Sequence, residues 1–164
     1  MRVALMVLVA ALAGLAARNQ KVTTFKSPDR QLAAVVSPAD RQKGVEANES
    51  RVSILRSDGT QLRRHDFSSA DGEHGYGVDG AQWTPNSLFF VFRMRNSGGH
   101  MPMYAPVVFW SRKANRFYQL NDYTADQTFS VVAPDSVSVS TWPALKPATM
   151  WLRGVRESQI TELR

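Results

Sequence analysis

No cysteine occurs among the 164 residues, and this constrains the fold because the chain opens with what reads as an export signal. Arg2 gives a positive start, Val3–Leu12 is an unbroken apolar run, and Ala13–Ala17 offers small residues for cleavage. That order is the three-part pattern of a secretory signal peptide. The apolar run ends near Ala17, short of the roughly 20 residues that a spanning helix needs. The expectation is therefore a signal peptide over 1–17 and a single β domain over 18–164, periplasmic or secreted, with no transmembrane segment after cleavage. Such a domain has no disulfides, although its compartment permits them, and burial alone must hold it. A domain of about 150 residues buries roughly 68–70% of its unfolded surface, which is enough for a core.

The way to bury that surface is set by the pattern of apolar residues. Helical periodicity is hard to find after the signal, whereas short apolar or alternating runs between turn residues recur throughout. Gln31–Ser37, Arg51–Arg56, Gln61–Phe67, Leu88–Arg95, Val107–Ser111, Arg116–Leu120 and Ser136–Trp142 read as strands. Val52, Ile54 and Leu55 are available to a core. Ser57-Asp58-Gly59-Thr60 reads as a tight hairpin turn, since Asp-Gly supplies the positive φ angles it requires. Leu88–Arg95 has the apolar start of a strand covered on both faces and the charged end of a sheet margin. Asp40–Ser50, Ser68–Gly80 and Asn96–Pro106 read as loops. The tail holds a short strand at Met150–Leu152 and a strand or helix at Glu157–Leu163. The fold class expected is all-β, with antiparallel sheets.

One pattern repeats. Ser27-Pro28-Asp29-Arg30-Gln31-Leu32 matches Thr84-Pro85-Asn86-Ser87-Leu88-Phe89, and Ala133-Pro134-Asp135-Ser136-Val137 is a degenerate third copy. Each sets Pro and Asp or Asn before an apolar strand; Pro fixes φ and Asp or Asn bonds to its own backbone. The pattern resembles the Ser-Pro-Asp-Gly turn of bacterial β-propeller blades, the Tol-B-type and WD-repeat-like class, over most of Phe25–Trp142. The usual Gly is replaced by Arg30, Ser87 and Ser136. The resemblance implies blade-like sheets, yet propellers typically need about four blades to close. The sheets then stack as an incomplete propeller, close by forming a homo-oligomer, or make an ordinary β-sandwich.

The formal net charge of +6 is spread over isolated side chains such as Arg51, Arg56, Arg93, Arg112 and Arg116. Scattered charge of this kind gives a soluble surface with weak attraction for polyanions. For an exported chain the partner expected is a protein or an anionic envelope polymer, not nucleic acid. Gly75-Tyr76-Gly77-Val78-Asp79-Gly80 spells G-x-G-x-x-G, but Trp83 and a Thr-Pro turn follow where a dinucleotide site needs a helix.

The function expected from these features is a non-enzymatic binding module of the bacterial cell envelope, using long loops on a rigid β scaffold. Tyr76, Asp79 and Tyr104 are its candidate contact residues, and no cofactor is required. The alternative is a metal-dependent hydrolase or a metal carrier. Asp71, Glu73 and His74, within the stretch from His65 to Asp79, have the ligand types for Zn²⁺, Mn²⁺ or Ca²⁺. His100, Met101 and Met103 combine imidazole and thioether, the soft ligands that suit Cu(I). Trp83, Tyr104, Trp110, Tyr118, Tyr123 and Trp142 are candidates for a sugar-stacking platform or, more simply, core residues.

Overall fold

A computed structural model describes residues 21–39, 48–72, 74–98, 104–125 and 129–164. The protein is all-β, with antiparallel strand pairing throughout the described residues. Strands β1 (Thr23–Lys26), β2 (Leu32–Pro38), β3 (Ser50–Arg56) and β4 (Gln61–Asp66) form a four-stranded meander in chain order. Alternation decides its inner face: Leu32, Ala34, Val36, Val52 and Ile54 are buried, and Ala34 sits opposite Ile54 and Val36 opposite Val52. Leu55 does not join them. It pairs with Ala33 on the opposite face and is only half-buried, because side chains alternate along a strand. The hairpin turn forms, but of its Asp-Gly pair only Gly59 takes a positive φ, at +88°; Asp58 keeps a negative φ, and its Oδ1 accepts from Thr60 N at 2.8 Å.

A second meander follows: β5 (Tyr76–Trp83), β6 (Phe89–Asn96), β7 (Pro106–Ser111) and β8 (Arg116–Thr124). The stretch Ser68–Gly80 is thus only partly loop, since its last residues are the start of β5. Their glycines lower strand propensity, but pairing with the apolar β6 overrides it, and the register shifts between Val78 and Gly80. Strands β6 and β7 are buried on both faces. Phe90, Phe92, Met94, Val108 and Trp110 cluster with the first sheet. Phe89, Val91, Val107 and Phe109 cluster on the other side with residues of β9 (Val131–Val132), β10 (Ser136–Thr141) and β11 (Pro147–Trp151).

These later strands belong to the same sheet as the second meander. Strand β8 bends where Asp122 takes φ +58°, and its end then pairs with β10, Ser140 opposite Thr124. The sheet folds over itself into a nearly closed, barrel-like form. The tail combines both expectations for Glu157–Leu163: a short 3₁₀ turn at Glu157–Gln159, then β12 (Ile160–Leu163). Strand β12 returns to pair with the first half of β8, Leu163 opposite Phe117.

The repeated turn is built from one hydrogen-bond pattern used twice. Ser27 Oγ donates to Asp29 Oδ1 at 2.6 Å and accepts from Leu32 N at 3.0 Å, while Asp29 Oδ1 accepts from Gln31 N at 3.1 Å. Thr84 Oγ1 donates to Asn86 Oδ1 at 2.7 Å and accepts from Phe89 N at 3.0 Å, while Asn86 Oδ1 accepts from Leu88 N at 3.1 Å. Arg30 and Ser87, in the place of the usual Gly, both adopt the left-handed conformation, at φ 61° and 60°. The two turns touch, Asp29 N donating to Ser87 Oγ at 3.1 Å. The third copy has alanine at 133, which carries no hydroxyl to close this pattern, and its Ala133-Pro134 bond is cis. Its Asp135 is buried and accepts instead from Arg153 Nε at 2.5 Å.

Two outcomes follow from these turns. Ser27→Ala and Thr84→Ala each leave a buried backbone N–H without its acceptor and should each cost about 1–3 kcal/mol in urea denaturation. The second concerns acid. Burial pushes the Asp29 carboxyl up, but the Ser27 hydroxyl and the Arg112 guanidinium outweigh it and bring it from 3.8 to about 2. A carboxyl lowered by folding adds stability above its unfolded value and loses it as pH falls through the folded one. Thermal melts of Asp29→Asn should therefore show a shallower loss than wild type between about pH 4 and pH 2.

Candidate functional loop end

The residue that organises the loops is Glu49, which lies in the segment read as a loop and is fully buried, at 0% exposure. A buried carboxylate is costly unless its oxygens are hydrogen-bonded. Here Oε2 accepts from Ser69 N at 2.8 Å, and Oε1 accepts from Ser69 Oγ at 2.8 Å, Gly75 N at 2.9 Å and Ser97 Oγ at 2.9 Å. One side chain thereby ties the β3 entry, the loop after β4 and the end of β6 together. The backbone adds to this, with Tyr76 N donating to Phe67 O at 2.9 Å and Ser97 N to Gly75 O at 3.0 Å. Gly75 lets the strands close in: a Cβ there would sit 2.4 Å from Glu49 Cδ and 2.5 Å from Phe67 O.

The same loop carries Asp71 and His74. Asp71 Oδ2 and His74 Nδ1 are 2.5 Å apart, and both side chains are more than half exposed. Asp71 Oδ1 accepts from His74 N at 3.2 Å and lies 2.9 Å from Ser69 Oγ, where it competes with Glu49 for the single hydroxyl hydrogen. The Ser69 hydroxyl bonds to carboxylates and main-chain N–H groups, and no bond joins it to the imidazole among the described residues. The order nucleophile, imidazole, carboxylate that acyl-transfer chemistry needs is therefore not formed by this trio. Glu73, His100, Met101 and Met103 lie outside the described residues. Among the described residues, no three His, Asp or Glu side chains are grouped to hold a metal ion.

The other acidic candidates of this region are matched with arginine or core positions. Asp66 accepts from Arg51 NH2 at 2.7 Å, and Asp79 from Arg93 NH2 at 2.9 Å. His65 packs edge-on to Phe67, with ring centroids 4.5 Å apart, and burial followed by the charge of Arg63 lowers its pKa. Proximity in sequence does not bring these groups to a common centre.

One aromatic residue adjoins the Glu49 clamp in the chain, and two others pack on each other. Tyr76 opens β5 directly after Gly75. The Tyr104 ring is 5.1 Å from that of Trp142, tilted by 54°, and both residues are half-buried. Gln119 Nε2 reaches the Tyr104 hydroxyl at 3.5 Å. Burial raises the pKa of that hydroxyl, and the proximity of Tyr76 and then Asp122 adds to the effect. Tyr104 packs on Trp142, Tyr76 acts on it through charge alone, and Asp79 accepts from Arg93. Trp83 and Trp110 are core residues, 5% and 1% exposed, with their N–H groups on Phe25 O and Asn115 Oδ1. Trp142 is half-buried beside Tyr104, and Trp151 is the most exposed tryptophan, at 54%.

Comparison with known proteins returns no matching family model, no matching curated protein and no matching solved structure. The site must be read from its own geometry.

The clamp gives a direct expectation. Gly75→Ala cannot be fitted without moving Glu49 or the Phe67 carbonyl, and Glu49→Gln turns an amide NH2 toward donors. Each should lower stability by about 1–3 kcal/mol. Hydrogen exchange should show faster opening at Ser69, Tyr76 and Ser97, with β6 and β7 still protected.

Proposed function

We propose that the protein is an exported, non-enzymatic binding module of the bacterial cell envelope, periplasmic or secreted after loss of residues 1–17. In this reading its sheets are the blade-like units that the repeated turn resembles, stacked without closing a ring. Its contact surface is the loop end, where Tyr76, Tyr104 and Trp142 meet a protein or an anionic envelope polymer. The observation that carries the reading is the Glu49 clamp. A buried carboxylate fixes the chain at Ser69, Gly75 and Ser97, and anchor points set in advance lower the ordering cost of binding. Amphipathic aromatic side chains suit such a surface, because they combine area with a polar tip.

The competing reading, a metal-dependent hydrolase or carrier, is favoured by the Asp71–His74 contact alone. One experiment separates the two. Crosslinking in the native envelope should give a discrete partner band, and the double variant Tyr104→Ala, Trp142→Ala should lose it while keeping its melting temperature within a few degrees of wild type. A band that persists in that variant removes the aromatic surface from the proposal. Near-stoichiometric metal in the natively purified protein, lost in His74→Ala, would replace the proposal with its competitor.

A further inference from the structure

The outward face of the first sheet holds a cleft of about 530 Å³. Its floor is apolar and its rim is basic. Lys26 stands opposite Ala33, and Ala33 opposite Leu55, so a single row across β1, β2 and β3 runs from a cation over aliphatic carbon. Arg30, fixed in the left-handed conformation by the first repeated turn, and Arg56, at the end of β3, complete the lining. No Asp or Glu lines the cleft. Among the described residues no carboxylate lies within ion-pair distance of Lys26, Arg30 or Arg56. Neighbouring Asp58 accepts from Thr60 N at 2.8 Å, and it feels the Arg56 charge without an ion-pair contact.

Three like charges around an apolar floor repel one another until an anion arrives, and the floor stays wet until carbon covers it. The two needs are met together by a molecule with an anionic head and an aliphatic stem. The volume falls in the range of roughly 300–1,000 Å³ typical of small-molecule sites. A second copy is a poorer occupant: with a formal net charge of +6, it would bring a net positive partner to three cations. A flat membrane is also poorer, since a concave site cannot insert between lipids. We propose that this cleft binds a small single-tailed carboxylate amphiphile, its head held by Lys26, Arg30 and Arg56 and its stem laid over Ala33 and Leu55. The proposal does not depend on the loop end.

Titration calorimetry of the purified protein with dodecanoate, kept below its micelle concentration, tests this. Saturable one-to-one binding is expected, weakened several-fold as NaCl rises from about 50 to about 300 mM. The variant Lys26→Gln, Arg56→Gln changes only surface groups and should weaken binding by about tenfold or more. Leu55→Ser should weaken it through the stem while leaving the salt dependence in place. Acetate and dodecyl maltoside, which supply the head or the tail alone, should each fail to bind. No binding of dodecanoate, equal binding of acetate or of the maltoside, or unchanged affinity in the double cation variant would overturn the proposal. So would binding confined to anionic vesicles, which would mark a general surface attraction. Melting curves of each variant establish that the fold is intact.

Discussion

Strands β6 and β7 are packed from both sides, and the other layers rest on them. Phe90, Phe92 and Trp110 face the first sheet, while Phe89, Val91 and Phe109 face the strands that follow β8. Aromatic rings pack closely toward the first sheet, with Phe90 and Phe92 5.7 Å apart and Trp83 edge-on to Trp110 at 6.0 Å. Fully burying one such side chain contributes about 1.5–3 kcal/mol. For a chain without cystine the arrangement is economical, because a single meander provides the inner wall of two cores. Polar links between layers then fix the alignment: Trp83 Nε1 donates to Phe25 O at 2.8 Å, and Arg112 reaches Asp29 and Gln31.

The loop end inverts this logic. There the organising group is a carboxylate, and what it gathers is polar main chain and hydroxyls. The clamp and the repeated turns are alike in one respect: each uses a side-chain oxygen to satisfy N–H groups that no strand partner reaches. In the turns the bonds are local, whereas Glu49 reaches forward 20 residues to Ser69, 26 to Gly75 and 48 to Ser97. That difference in span decides what each can do. Local bonds define where a strand begins, and distant ones define how three segments share a surface.

It also decides what a sequence reveals. The Ser-Pro-Asp and Thr-Pro-Asn turns were legible because the chemistry that closes them lies within six consecutive residues. The doubly covered β6 was legible because four apolar residues in a row leave no face for water. Glu49 was not legible: a glutamate beside Asn48 and Ser50 reads as surface, and its burial depends on partners far along the chain. The start of β5 was missed for a related reason, since Gly75, Gly77 and Gly80 look like a loop until the close approach to Glu49 and the shift at Val78 are seen. Leu55 was assigned to the core by its type, and only the alternation of β3 turns it outward to the basic cleft. Among the candidate site residues, Tyr104 packs against Trp142, whereas Asp66 and Asp79 are engaged by arginines that lie 15 and 14 residues away in sequence.

The return of β12 onto β8 has a bearing on biogenesis. Thr161 bonds to Asn121 across 40 residues of intervening chain, so as the polypeptide is made β8 waits with one flank bare until that stretch has followed it. A bare strand flank next to apolar rings is the kind of surface on which nascent chains stick to one another. Sealing of that flank of β8 therefore waits for the closing strand.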